Sequence, residues 1–102
     1  MPITPHHTPA DHADVREAEA TWLEARAVDA AEAGDRDTQD GRLRLAGAAY
    51  IESATLWAEA AERWAALDNL AEARRCASAG ASAARSAAAT LWTATASSAD
   101  PF

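Results

Sequence analysis

Large apolar residues recur at seven-residue intervals through the middle of the chain, at Leu43, Tyr50, Trp57 and Trp64. Positions seven apart return to one face of an α-helix after two turns, so the spacing predicts one long helix carrying a ladder of bulky side chains. Downstream, Ala73, Ala77, Gly80, Ala84 and Ala87 recur at alternating four- and three-residue steps, a seam of small residues. A fold-back at Asp68-Asn69 sets the two in register: Trp64 against Ala73, Trp57 against Gly80, Tyr50 against Ala87. At the open end the sizes reverse and Gly47 faces Leu91. Glycine inside a helix costs about 1 kcal/mol relative to alanine, so Gly80 opposite Trp57 implies a steric reason.

A further helix precedes the ladder. Thr8 stands as an N-cap, Pro9 fits the first helical position, and Asp11 sits where a capping acid belongs. The periodicity predicts helices over about 9–33, 41–67 and 70–96, an all-α antiparallel three-helix bundle. Gly34 is the expected left-handed stop of the first helix, and residues 35–41 form a polar connector. Asn69 and Glu72 supply the cap of the third helix and its reciprocal acid. The first helix is expected to bury Val15, Ala18, Trp22, Ala25 and Val28, with Leu23 on the flank, against Ala48, Ile51, Ala58 and Ala65 of the second. Residues 1–7 are expected to form a disordered lead-in, 8–97 one domain, and 98–102 a flexible end. The alternating Val/Ile/Thr pattern of a sheet is missing.

Residues 54–87 resemble a single tetratricopeptide-type repeat. Trp57, Ala60, Ala61 and Trp64 occupy its first-helix positions, Asp68-Asn69-Leu70 its turn, and Ala73 its second-helix alanine. The chain departs from the pattern at Ala77, where a large aromatic is usual, and in lacking the closing proline. The resemblance implies a tetratricopeptide-like or microtubule-interacting-and-transport-like helical hairpin, from families that mostly bind peptides or helices of other proteins. It assigns no binding residue here.

Composition changes this picture in two ways. Of the 102 residues, 31 are alanine and only seven are leucine, so the four tryptophans must carry much of the burial. Against an ordering cost of about 1.5 kcal/mol per residue, an isolated bundle of this kind is marginal, and a partner or a second copy would add to it. The net charge of −7 is uneven: residues 1–40 hold ten acids and three arginines, whereas the remainder is balanced. That balance disfavours nucleic-acid backbones and anionic membrane surfaces, and no apolar run approaches the ~18 residues a membrane span requires. No basic, apolar leader opens the chain, so a soluble cytoplasmic protein is expected.

Candidate chemistry is sparse. His6, His7 and His12 with Asp11 and Asp14 lack a rigid scaffold for a metal, and tail composition explains them. Cys76 has no histidine after residue 12 to serve as its base, and reads as a small, half-buried residue. The pairs Glu59/Glu62 and Glu17/Glu24 read as solvated helix surface, and the six arginines after residue 41 as ion-paired. No phosphate loop, catalytic triad or metal-binding helix motif is present, so neither catalysis nor a cofactor or metal is expected.

What remains is surface. Ser78, Ser82, Ser86 and Thr90 recur every four residues on the third helix, leaving it small-sided nearly all round. Trp92 and Arg85 lie off the Tyr50/Trp57 seam, so Trp92 either packs on the first helix or is exposed, and in the second case a tryptophan beside this smooth surface marks an interface. The candidate partner surface comprises Trp92, Ser78, Ser82, Ser86 and Arg85, with Glu17 and Glu24 on the acidic first helix. The leading expectation is a non-enzymatic protein-interaction or adaptor module. The alternatives are a homo-oligomeric structural bundle, or an acidic decoy that inhibits a basic nucleic-acid-binding protein.

Overall fold

The computed structural model of the chain describes residues 9–98, with side chains placed from residue 14 to residue 96. It is an all-α three-helix bundle of α1 (Pro9–Gln39), α2 (Leu43–Ala66) and α3 (Leu70–Ser98). The lead-in at 1–7, the Thr8 cap, the side chains of His6, His7, Asp11 and His12, and the end beyond Ser98 lie outside the described residues. Both outer helices pack along α2 and scarcely touch each other.

The first helix does not stop at Gly34. It continues to Gln39, and the stop is Gly41, whose φ of +75° only glycine adopts freely. The Gly41 N–H donates to the Thr38 carbonyl at 3.1 Å and the Arg42 N–H to the Asp37 carbonyl at 2.8 Å. This pair of bonds is a Schellman motif, and it satisfies carbonyls that the helix end leaves open. Gly34 has a different use. A Cβ there would lie 2.7–2.9 Å from three ring atoms of Tyr50, so glycine lets the ring lie flat on α1.

The second turn repeats the motif with Asp68 in the left-handed position (φ 59°), its N–H on the Ala65 carbonyl and the Asn69 N–H on that of Trp64. Asn69 caps α3 as expected, its Oδ1 accepting from the Glu72 N–H at 3.2 Å. The reciprocal bond from Glu72 is not made. The Asn69 N–H is already spent on Trp64, and the Glu72 carboxylate binds Arg75 instead.

The register of the α2/α3 hairpin holds at three rungs. Tyr50 clusters with Ala46 and Ala87; a Cβ on Gly80 would meet the Trp57 Cβ at 3.1 Å; and one on Gly47 would collide with Leu91. The seam itself is turned slightly from expectation. Ala77 and Ala84 are exposed, and Cys76 and Ala83 take the buried positions beside Gly80 and Ala87. The cause is polar: Arg75 reaches Glu24 on α1 at 2.7 Å, which draws the Arg75–Cys76 side of α3 toward α1.

The α1 face is the larger correction. Val15, Ala18, Trp22, Ala25 and Val28 are all exposed, Trp22 by 58%, and the buried positions are Ala20, Leu23, Ala27, Ala30 and Gly34. On α2 the predicted receivers Ala48, Ile51, Ala58 and Ala65 are exposed too, and Ser53, Leu56 and Ala60 take their place. Both stripes of α1 have helical spacing. The chosen one is nearly all small, so the two backbones come close enough for the Ser53 Oγ to donate to the Ala27 carbonyl at 2.7 Å. Leu23 is its one large buried aliphatic, worth about 1.5–3 kcal/mol, so α1 is held as much by polar contacts as by burial.

Candidate interaction surface

The aromatic ladder is structural. The Trp64 Nε1–H donates to Glu24 at 2.6 Å, the Tyr50 hydroxyl donates to Asp35, and both rings are buried. Tyr50 and Trp64 thereby tie α2 to α1 as well as to α3, an assignment the heptad spacing alone did not make. Glu24 is the hub, accepting from Trp64 and from Arg75, which also bridges Glu72 at 2.6 Å. Burial pushes the Glu24 carboxyl up, but the hydrogen bonds from Arg75 and Trp64 outweigh it and hold it below the usual carboxylate value. Glu24 is therefore not the solvated surface acid that its spacing from Glu17 implied. Glu17 stays exposed.

Cys76 is fully buried, not half-buried, inside the main core cluster. Burial, with the Glu24 charge nearby, pushes its thiol up to about 11, far from thiolate chemistry at neutral pH. Among the described residues no group of His, Cys, Asp and Glu is arranged to hold a metal ion, and no helix is long and apolar enough to cross a membrane. Of the six arginines after residue 41, Arg63 pairs with Glu19 and Arg75 with Glu24 and Glu72; on α1, Arg26 lies 3.7 Å from Glu52.

What the fold leaves uncovered is apolar. Trp92 does not pack on α1; it is 76% exposed, near the end of α3. On the same outer side, Ala77, Ala81, Ala84 and Ala88 follow one another at four-, three- and four-residue steps, all exposed. Such steps keep them on one stripe of the helix. Leu70, 56% exposed, lies near the other end of the stripe, and Ile51, Ala58 and Ala65 of α2 are exposed as well. Between the two helices is a shallow cavity of about 360 Å³, with Ala61, Ala65, Leu70, Ala73 and Ala77 as its apolar walls and Glu62 and Arg74 completing its lining.

The candidate residues of α3 divide around this stripe. Ser78, Ser82 and Arg85 are exposed and flank it, whereas Ser86 is half-buried. A second exposed patch was hidden from sequence reasoning by the assignment of Trp22 to the core. The Arg26 guanidinium lies 4.9 Å from the Trp22 ring centroid, and Val15 is 56% exposed on the same helix. The available signal was the competing stripe of Ala20, Ala27 and Gly34, spaced by seven like the aromatic ladder. Comparison with protein-family models, with curated proteins and with solved structures gives no match for this chain.

Proposed function

We propose that this chain is a non-enzymatic helical interaction module that docks a partner on the outer face of the α2/α3 hairpin. The observation that carries the reading is Trp92, 76% exposed at one end of a stripe of four exposed alanines whose other end borders a shallow apolar cavity. A large aromatic is costly to leave in water, and a tryptophan at the edge of a smooth apolar face is the usual anchor of a protein interface. The likeness of residues 54–87 to a tetratricopeptide hairpin points the same way.

The acidic-decoy alternative is less well supported. Glu19, Glu24 and Asp35, three of the acids it draws on, are bound within the bundle by Arg63, by Arg75 and Trp64, and by Tyr50. The homo-oligomer alternative is favoured by the same exposed face.

A photo-crosslinking amino acid in place of Trp92, with Glu59 as the control position on exposed α2 surface, tests the proposal in lysate from the source cells. Adducts at 92 and not at 59 are expected. Equal yields at both positions would remove this face as the docking site.

A further inference from the structure

We infer that the occupant of the α2/α3 face is a second copy of this chain, with the two α3 helices packed antiparallel about a two-fold axis between Ala81 and Ala84. This rests on the interaction-module reading and names its partner. A two-fold interface must be self-complementary, so every knob on the face needs its hole on the same face at the symmetry-related position. With the axis between Ala81 and Ala84, Ala81 meets the partner's Ala84, and Ala77 meets the partner's Ala88. Trp92 then falls opposite the partner's Ala73. Ala73 is a wall of the 360 Å³ cavity, with Leu70, Ala77 and Ala61 around it. The exposed knob and the empty hole therefore stand equally far from the axis. Arg74, which lines the cavity with Glu62, would cover the incoming indole as Arg26 covers Trp22 within the chain.

Size and charge agree with this occupant. The 29-residue α3 is about 44 Å long, and the stripe from Leu70 to Trp92 runs most of that length, so one α3–α3 seam can hold every pairing named above. Residues 41–102 are balanced in charge, and the hairpin within them is nearly neutral, while the −7 resides in residues 1–40. Because α1 and α3 flank α2 and scarcely touch, joining two copies through α3 keeps the two acidic helices apart. Alanine against alanine also lets the paired helices approach closely, which lysines, absent from the chain, or longer side chains would prevent.

Sedimentation equilibrium over a range of concentrations tests the pairing. The unaltered chain should sediment at twice its 10.7 kDa mass at high concentration. Ala84→Glu, which sets two carboxylates beside the axis, should leave a monomer, and Trp92→Ala should raise the dissociation constant tenfold or more. Both side chains are exposed, so helicity of the dilute protein should be unchanged. An Ala77→Cys/Ala88→Cys chain should form a covalent dimer on oxidation, and neither single variant should. A monomer at all concentrations, a dimer indifferent to Ala84→Glu, or cross-linking through either single cysteine overturns the inference. A monomer that still gives adducts of another protein at position 92 refutes self-pairing and leaves the module reading standing. A monomer with no adducts at 92 removes both.

Discussion

Gly34→Ala separates a glycine required by a neighbour from one required by a turn. In an open helix the change would stabilise the protein by about 1 kcal/mol, because alanine is the better helix former. Here the new Cβ would lie 2.7 Å from the Tyr50 Cε1 and 2.9 Å from its Cδ1 and Cζ, where real contacts begin well beyond 3 Å. The ring cannot swing aside cheaply, because its hydroxyl is bound to Asp35 and its other side meets Ala46 and Ala87. Overpacking of this kind costs about 1–3 kcal/mol, so the net expectation is a loss of up to about 2 kcal/mol. The decisive comparison is the same change in a Tyr50→Leu background. A leucine has no ring edge and no bond to Asp35, so the clash is relieved and Gly34→Ala should become stabilising by several tenths of a kcal/mol. Urea unfolding followed by circular dichroism, at one fixed protein concentration, reads all four corners of the cycle. If Gly34→Ala destabilises equally with tyrosine or leucine at position 50, the glycine serves the backbone and the Tyr50 explanation fails.

Three further changes address other contacts. Gly80→Leu should destabilise by about 1–3 kcal/mol or more, because even a Cβ comes within 3.1 Å of Trp57, whereas Gly80→Ala should be near neutral as helix propensity offsets the tight fit; equal tolerance of both in thermal melts would break the register. Ser53→Ala should cost about 1 kcal/mol in urea unfolding through loss of the buried hydroxyl bond to Ala27, and a neutral result would mean the α1/α2 approach is looser than described. The Glu24 carboxyl is held below its usual 4.5 in the folded chain, so its contribution is complete above that value and lost as pH falls through the lower folded one. Glu24→Gln should flatten stability between neutral and acid pH relative to the unaltered chain, and unchanged acid sensitivity would place the effect elsewhere.

The hairpin of α2 and α3 was legible because both signals that specify it are local. Heptad spacing fixes which side chains share a face, and the size alternation of Trp57 with Gly80 and Gly47 with Leu91 fixes the register. Spacing also places Trp92 off that seam, but whether it packs on α1 or stands in solvent depended on how α1 lies. The fate of α1 was not legible. Its two stripes, one of Val15, Trp22 and Val28 and one of Ala20, Ala27 and Gly34, have the same period, and hydrophobicity favours the wrong one. Pattern reasoning also took Gly34 for a stop because it weighs a glycine by its backbone freedom and has no view of a ring arriving from another helix.

The sequence by itself determined three helices, their order and the pairing within the last hairpin, because periodicity and capping act over a few residues. Only the tertiary structure decided which face of α1 turns inward. That choice depends on Tyr50, Ser53 and Trp64 finding Asp35, the Ala27 carbonyl and Glu24, partners 15 to 40 residues away. Buried polar groups must be paired wherever the chain brings them, and that requirement outweighed the burial of a few large side chains on α1.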